Sequence, residues 1–340
     1  MPAPAYSGAP LPPRRRRRSR NPLPLTLVFA ALVGLAGTAG VLRAADERTD
    51  DIERIEGLEG VLAASAPSEN YLLVGSDTRE GADPSDADYG GIGSASEVTG
   101  RRSDTIMILR RDEDGTAALL SLPRDLWVPI SGTGQENRIN SAYNEGPERL
   151  AATITEALGI PIHHYVEVDF QGFKDVVDRI GGVELCINYA TRDVNTGLAL
   201  QPGCQRLDGV QALAFARSRK YEEFRDGDWQ MDPTADLGRI ARQQLFIRAA
   251  VNGALQRMQS SPFGSGDLIN AVTSSIRIDS TVDALEAAES LRQAAEQDLA
   301  TFSLPVSGIT IDGNAVLELD DGAQPILDYF RGVGPRPQPA

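Results

Sequence analysis

An uncharged, mostly apolar stretch opens the patterned part of the chain. Residues 23–42 read LPLTLVFAALVGLAGTAGVL, and at about 1.5 Å per residue a helix of this length crosses a hydrocarbon core of roughly 30 Å. Five consecutive arginines, at 14–18, precede it. Because basic flanks resist translocation, we predict a cytoplasmic tail at 1–22, a transmembrane helix at 23–42, and all later residues outside the cytoplasm.

A cleaved signal peptide is the alternative to a retained membrane anchor. The small residues at 36–40 offer a cleavage site. We favour the anchor, because the apolar segment is longer than a usual signal core and the Pro- and Ala-rich lead before the arginines is atypical of secretory signals. Both alternatives put the rest of the protein outside the cytoplasm.

After this stretch the pattern changes twice. Residues 43–70 are charged and alanine-rich, and they predict a juxtamembrane stalk that is at most partly helical. From Tyr71 onward, short apolar runs alternate with helical periods. We predict strands at 71–74, 105–109, 117–122, 165–168, 183–187 and 300–304, and helices at 147–158, 170–180, 210–217, 238–256 and 282–296. Such alternation predicts layered α/β structure over 71–331, and the tail at 332–340 is expected to be disordered.

Charge and cysteine content limit the partners and the kinds of site that the chain can have. The net charge of the 340-residue chain is −15, although residues 1–43 contain seven arginines and no acid. The remainder would therefore repel nucleic acid, and we expect no such partner. Oxidising conditions outside the cytoplasm favour a disulfide between Cys186 and Cys204, with two buried free thiols as the alternative. Cysteine catalysis or a zinc site is disfavoured, because the two histidines, His163 and His164, are adjacent beside a proline.

Candidate chemistry lies at the ends of predicted elements. The sequence has no GxSxG, P-loop, strand-following GxGxxG or HExxH motif, which disfavours the reactions those motifs support. Polar groups instead cluster at Gly75-Ser76-Asp77, Arg101 to Asp104, Pro123-Arg124-Asp125, Arg217-Ser218-Arg219, and Arg239 with Gln243 and Gln244. Converging arginines suit a phosphate or pyrophosphate, and Asp77 with Asp104 could share Mg²⁺. Taken singly, each of these residues is more simply a turn, cap or surface ion-pair residue.

Seven motifs in order resemble those of LytR-CpsA-Psr proteins. They are YLLVGSDTR, RRSDTIMILR, LLSLPRDLWV, RINSAYNEG, VVDRIGGVEL, LDGVQALAFARSRK and DLGRIARQQ. The resemblance covers about 71–255 clearly, and the acidic insertion DGDWQMDPTAD is similar to that of actinobacterial members. It implies an α/β fold with three layers, α-β-α, around a central mixed sheet, preceded by one transmembrane helix.

The resemblance also implies an activity at the cell membrane. Proteins of this family transfer a secondary wall glycopolymer from a polyprenyl-pyrophosphate carrier to peptidoglycan, forming a phosphodiester and releasing polyprenyl phosphate. By matching motifs, Asp77 and Asp104 are expected to bind Mg²⁺. The residues expected to contact the pyrophosphate are Arg102, Arg124, Arg217, Arg219 and Gln243, of which Gln243 is less secure because the insertion lies between Arg219 and Arg239.

Two features of the implied site leave alternatives. Asp125 could orient Arg124 or act as a base toward the acceptor hydroxyl. We favour orientation, because a positively charged neighbour makes a carboxylate a weaker proton acceptor. An apolar channel for the lipid could use residues that are more simply explained as core: Phe170, Phe173, Val176, Val177, Ile180, Leu245, Phe246 and Val251.

Two other functions fit the same motifs. One is a hydrolase that splits the lipid pyrophosphate with water. The other is a membrane-anchored regulator that binds polyprenyl phosphates or wall glycan without turnover. Retention of every matched aspartate and arginine argues against a bare binding module, and the sequence does not separate transfer from hydrolysis.

Overall fold

The structure is a computed structural model that describes residues 52–76, 103–233, 274–282 and 300–338, with single helical positions at 238–249. The predicted tail at 1–22 and transmembrane helix at 23–42 lie outside the described residues, as do Asp77, Arg102 and most of the predicted helix at 282–296. Across the described ranges, no helix has both the length and the apolar character needed to cross a membrane.

A seven-stranded mixed sheet is the centre of the fold. Its strands, in spatial order, are β1 (Glu53–Ile55), β14 (Ile276–Asp279), β7 (His164–Val168), β2 (Glu69–Ser76), β3 (Ser103–Arg111), β4 (Ala117–Leu122) and β15 (Ala300–Ser303). β2 pairs antiparallel with β3 and parallel with β7, which makes the sheet mixed. β3 and β4, which contain the strands predicted at 105–109 and 117–122, form an antiparallel hairpin, and its turn closes with Asp112 N–H donating to the Thr116 carbonyl at 2.8 Å.

Alternation along the central strands divides the core into two clusters. In β2, Leu72 and Val74 face one cluster and Tyr71 faces the other. The first cluster packs under α1 (Pro147–Leu158) and α4 (Gln324–Arg331), and the second under α2 (Phe170–Arg179), α3 (Gly209–Arg217) and the helical positions at 238–249. Helices thus cover both faces of the sheet, and burial of both clusters stabilises the arrangement.

Local sequence signals set the ends of the helices. Proline stands in the first turn of α1, and Gly159 ends it in the left-handed region at φ 69°. Asp169 caps α2 by accepting from Gly172 N–H at 2.7 Å, and Asp208 with Gln211 forms a capping box on α3. Gly209 lets α3 approach α2, since a Cβ there would lie 2.6 Å from the Lys174 carbonyl oxygen. This close packing fixes the position of α3 against α2, and therefore the position of its last residue, Arg217.

Smaller sheets surround the central one. They comprise the pairs β5 (Trp127–Ile130) with β6 (Gln135–Arg138), β8 (Val183–Ile187) with β11 (Gly203–Leu207), and β16 (Val306–Ile311) with β17 (Asn314–Leu319), and a four-stranded sheet in the order β10 (Leu198–Leu200), β9 (Thr191–Asp193), β12 (Glu222–Arg225), β13 (Asp228–Met231). Short 3-10 helices span Ile139–Glu145 and Asp321–Ala323. Cys186 and Cys204 are direct partners in the β8–β11 register and are joined by a disulfide.

The structure differs from the sequence interpretation at both ends of the domain. Residues 53–55, assigned to the stalk, form the edge strand β1 parallel to β14, with Ile52 buried beside it. At the other end, Arg336 in the tail expected to be disordered donates to the Ala117 carbonyl at 2.8 Å. In each place a few contacts order a segment that has no periodicity of its own.

Candidate active site

Asp125 is the meeting point of three arginines. Its carboxylate lies 3.6 Å from Arg124 Nε, 3.3 Å from Arg138 Nε and 3.7 Å from an amino nitrogen of Arg219. These three side chains come from separate parts of the chain. Three guanidinium groups around one carboxylate give this group a net positive charge, which suits a phosphate-rich ligand.

The loop that carries Arg124 and Asp125 is fixed by the β16–β17 hairpin. Leu317 N–H donates to the Asp125 carbonyl at 3.0 Å, and Arg138 donates to the Ala315 carbonyl at 3.0 Å. Leu126, the next residue, is fully buried and forms an isolated parallel bridge with Leu317. The backbone beneath the arginines is therefore rigid, so their positions are largely set before a ligand arrives.

Gln243 joins the 238–249 helical positions to two other elements. Its amide nitrogen donates to Thr105 Oγ1 at 3.0 Å and to the Ala216 carbonyl at 3.1 Å. Thr105 follows Asp104 in β3, and Ala216 precedes Arg217 at the end of α3. The buried Gln243 side chain thus brings the backbone at 104–105 close to the segment that carries Arg217 and Arg219.

Arg217 is oriented by an aromatic ring. Its guanidinium carbon lies 4.3 Å from the centroid of Phe170, the first residue of α2. Stacking on a ring face limits the rotamers of a long side chain, so the guanidinium is held in one place. Phe170 packs with Leu213 of α3, so the two helices that approach at Gly209 also position this arginine.

A buried carboxylate shapes the turn between Arg217 and Lys220. Asp193 of β9 accepts from Ser218 Oγ at 2.7 Å and from the backbone N–H groups of Arg219 and Lys220 at 2.9 and 2.8 Å. Burial alone would raise the pKa of Asp193, but these hydrogen bonds outweigh it and hold the pKa below its usual range. The carboxylate therefore stays ionised and fixes the backbone of Arg219.

A hydrogen-bond network lies below the strand ends where the carboxylates were predicted. Glu167 of β7, which is 1% exposed, accepts from Tyr143 at 2.6 Å and from Tyr165 at 2.9 Å and pairs with Arg277. Burial, with the nearby Glu167 charge, raises the pKa of the Tyr143 hydroxyl, which also bonds Ser76. Ser76 ends β2, so the network fixes the backbone that leads to Asp77.

The β2–β3 register bears on the predicted metal site. Ser76 pairs with Ser103 and Gly75 with Thr105, with an irregularity between the two pairs, so position 104 falls opposite the end of β2. Asp77 and the side chain of Asp104 lie outside the described residues. The described part of the chain contains no group of three or more His, Cys, Asp or Glu side chains able to hold a metal ion. The Mg²⁺ site at Asp77 and Asp104 therefore stays a prediction; in general, one or two carboxylates with phosphate and water as the other ligands form a usual Mg²⁺ environment.

The structure brings together part of the predicted site. Arg124, Asp125 and Arg219 are in contact, and Gln243 reaches the residue before Arg217, whereas Arg102 is outside the described residues. The sequence interpretation did not single out residues that complete this arrangement: Arg138, Asp193, Thr105 and Arg242. Thr105, Arg138 and Arg242 stand inside three of the seven motifs, which is the signal that could have identified them, whereas Asp193 stands in none.

Most side chains considered for a lipid channel belong to the core. The buried set that packs there is Val176, Val177, Ile180 and Phe246, with Phe173 packed against it. Leu245 is 45% exposed, and Val251 is outside the described residues. The apolar channel stays a prediction.

Two curated proteins are similar to this chain in sequence. The probable cell wall biosynthesis protein LcpB of Corynebacterium glutamicum is 35% identical over 230 residues, which cover 67% of this chain and 51% of that protein. The polyisoprenyl-teichoic acid–peptidoglycan teichoic acid transferase TagU of Bacillus mycoides is 29% identical over 228 residues, 67% of this chain and 65% of that protein. The chain thus spans about half to two thirds of the length of these relatives.

A solved structure shows a shared fold, and a family match shows which family the chain belongs to. A LytR-Csp2A-Psr enzyme from Actinomyces oris superposes with a TM-score of 0.65 at 24% identity, covering 82% of this chain and 95% of that one, which shows a shared fold. The pattern of the LytR_cpsA_psr family matches residues 39–325. Since that match takes in most of the sequence, the chain belongs to the LytR-CpsA-Psr family.

Proposed function

We propose that this protein is a phosphotransferase that moves a wall glycopolymer from a polyprenyl-pyrophosphate carrier to peptidoglycan outside the cytoplasm. The observation that supports this most is the group of three arginines around Asp125, because it concentrates positive charge from three segments of the chain at one place. The names of the relatives support it too: one is a cell wall biosynthesis protein and the other a teichoic acid transferase that uses peptidoglycan. A transmembrane helix at 23–42 would keep the site beside its lipid donor.

The proposed reaction is one displacement at phosphorus. An acceptor hydroxyl oxygen on peptidoglycan attacks the phosphorus next to the sugar, and a new P–O bond forms. The bond from that phosphorus to the bridging oxygen breaks, so polyprenyl phosphate departs with that oxygen, and the hydroxyl proton passes to solvent or to the departing phosphate. The product is a phosphodiester between glycan and peptidoglycan.

Charge stabilisation is what such a reaction requires from the protein. Phosphoryl transfer depends on positioning and neutralisation more than on covalent help. Arg217, stacked on Phe170, and Arg219, fixed by Asp193, would stabilise charge that develops on the phosphoryl oxygens. Arg124 and Arg102 would bind the pyrophosphate, and Gln243 would fix the end of α3.

Asp125 fits an orienting role better than a basic one. Three arginines surround its carboxylate, so an acceptor hydroxyl would have to compete with them for the same oxygens. Asp77 and Asp104 would hold Mg²⁺, which when bound supplies additional positive charge to the pyrophosphate oxygens. The arginines are fixed by contacts within the protein.

The direct test uses purified protein, a lipid-pyrophosphate-linked oligosaccharide and nascent peptidoglycan, with and without Mg²⁺. Wild type is compared with Arg217→Ala and with Arg179→Ala, an exposed arginine at the C-terminus of α2 that serves as the matched control. We expect Mg²⁺-dependent attachment of glycan in the wild type and the control, and a loss of about a hundredfold or more in Arg217→Ala.

Other outcomes would reject the proposal. Release of lipid phosphate without glycan on peptidoglycan would indicate a hydrolase. Tight lipid binding without turnover in any variant would indicate a regulatory binding protein. Equal attachment by Arg217→Ala and Arg179→Ala would remove Arg217 from the site.

A further inference from the structure

The small four-stranded sheet has an aromatic outer face. Phe224 and Trp229 are register partners in β12 and β13, and their rings lie 5.4 Å apart. Phe224 is 43% exposed, and Met231 of the same face is 55% exposed. The guanidinium of Arg192 stacks at 4.1 Å on Trp229 and also pairs with Glu222 at 2.6 Å. We call this set, Arg192, Glu222, Phe224, Trp229 and Met231, the aromatic face.

Strand alternation explains why the aromatic face is directed outward. In β9, Thr191 and Asp193 are buried, and Arg192 between them is on the other side. In β10, Leu198 and Leu200 are likewise buried in the core. The inner side of the sheet therefore supplies the packing. On the outer side Phe224 is exposed and Trp229 is half-buried beneath Arg192, and neither ring takes part in that packing.

The aromatic face is rigidly joined to the arginine site. Asp193 on the inner side of the sheet fixes the turn that holds Arg219. At the open end of the β12–β13 hairpin, Asp232 accepts from Arg242 at 2.6 Å, and Arg242 donates to the Ser218 carbonyl at 2.9 Å. Phe224 follows Arg219 by five residues, so their Cα atoms are at most about 17 Å apart.

Charge around the hairpin discriminates between partners. The acidic residues on it and its turn are Glu222, Glu223, Asp226 and Asp228. They would repel an anionic lipid surface or a nucleic acid. Carboxylates and guanidinium groups beside aromatic rings match a neutral sugar chain, because sugar hydroxyls hydrogen-bond to the charged groups and the C–H faces of the rings pack on aromatic side chains.

We propose that the aromatic face binds the glycan strand of the peptidoglycan acceptor, a chain of β-1,4-linked N-acetylhexosamines. This inference rests on the proposed function, which requires an acceptor hydroxyl near Arg219. Equatorially linked sugars expose flat apolar faces that suit Phe224 and Trp229. A long strand seated there reaches the arginine site a few sugar units away, whereas the donor glycan begins at the pyrophosphate itself.

The test measures glycan binding without lipid donor. The chain has two tryptophans, Trp127 and Trp229, so in Trp127→Phe protein the emission reports on Trp229. The probes are a soluble hexamer of β-1,4-linked N-acetylglucosamine, by fluorescence titration, and purified peptidoglycan sacculi, by co-sedimentation. We expect the hexamer to change Trp229 emission. Phe224→Ala should weaken binding several-fold. Trp229→Ala, whose binding is measured by co-sedimentation because the fluorophore is gone, should do the same, and the double variant should weaken binding about tenfold.

The controls separate this inference from the proposed function. Val194→Ala removes a side chain that is 84% exposed in the β9–β10 turn of the same sheet, and it should bind as wild type does. Unchanged sacculus binding in the Phe224→Ala and Trp229→Ala double variant would overturn the inference, as would binding to anionic phospholipid vesicles in place of the hexamer. Because no donor is present, loss of glycan binding supports the inference even if the wild type fails to transfer. If the double variant transfers glycan normally and binds sacculi as wild type does, the inference is overturned and the proposed function stands.

Discussion

Asp125 is the side chain on which the described charges converge. It contacts Arg124, Arg138 and Arg219, none of which belongs to the same strand or helix as another. A neutral residue of the same shape would keep the packing and remove the charge that aligns the three guanidinium groups. Asp125 thus provides a test of orientation that leaves every arginine in place.

We expect Asp125→Asn to lower the transfer rate by about ten- to a hundredfold, because small displacements of charge-stabilising groups cost catalysis heavily. The melting temperature should change little, since the carboxylate is partly solvent-accessible. The measurement is steady-state transfer beside thermal unfolding, with Glu113→Gln at an exposed site in the β3–β4 turn as the control. A rate equal to wild type would show that the arginines need no alignment by this carboxylate.

Glu69 at the start of β2 gives a prediction on pH. Burial alone would raise its pKa, but hydrogen bonds from Ser65 and Arg111 and attraction by His164 lower the pKa to about 2, from 4.5. A depressed pKa means that the ionised form stabilises the folded state. This contribution is present above about pH 4.5 and is lost as the pH falls toward 2.

The corresponding variant is Glu69→Gln. Between pH 4.5 and 2 the free energy of unfolding should fall less steeply for Glu69→Gln than for wild type, as measured by urea denaturation at a series of pH values. Glu113→Gln should follow the wild-type curve. Parallel curves for wild type and Glu69→Gln would exclude the proposed pKa shift.

Among the strands, β9 connects the small sheet to the site. Asp193 is fully buried and satisfies the turn at 218–220 through three hydrogen bonds, besides accepting from Asn195 N–H. Removing it would leave buried donors unpaired, which costs more than the bonds themselves contribute.

Asp193→Ala should therefore reduce the free energy of unfolding by about 2–4 kcal/mol and also impair transfer through the displaced Arg219 backbone. Asn195→Ala is the matched control, because its backbone N–H still donates to Asp193. Urea denaturation of both variants distinguishes them. A wild-type unfolding curve for Asp193→Ala would mean that the turn is stable without it.

The β8–β11 pair carries the disulfide. Its two cysteines are eighteen residues apart and close a loop that contains β9 and β10. In the loop-entropy estimate, replacing both by alanine should cost about 3 kcal/mol of unfolding free energy. Nonreduced peptide mapping of protein purified without reductant should link the peptides holding Cys186 and Cys204, and two free thiols would refute the pairing.

The sequence predicted elements best where local signals mark both ends. Pro147 and Gly159 bound α1 at the residues expected, whereas β1 escaped notice because three residues in a charged segment have no detectable period. The four-stranded sheet was missed for a similar reason, since its strands have only three or four residues each, too few for their alternation to be detected. Arg138 acquires its role only through contact with Asp125, which lies in another segment, and spacing along the chain does not reveal such a contact.

In the whole molecule, the central sheet and the helices on its second face bring distant segments to one region. The end of β2, the start of β3, the 124–125 loop and the 216–219 segment are linked by the Gln243, Asp125 and Asp193 contacts. A reaction at phosphorus in this region can end on peptidoglycan or on water, and the arginines would serve both. The identity of the attacking oxygen therefore decides the function.

The most direct measurement is transfer in ¹⁸O-labelled water, with the lipid-linked donor and peptidoglycan, followed by muramidase digestion and mass spectrometry. We predict glycan joined to muropeptides through a phosphate that contains no ¹⁸O, because the attacking oxygen comes from peptidoglycan. Free glycan phosphate that has gained one ¹⁸O, with no glycan on muropeptides, would contradict the account and show that water is the acceptor.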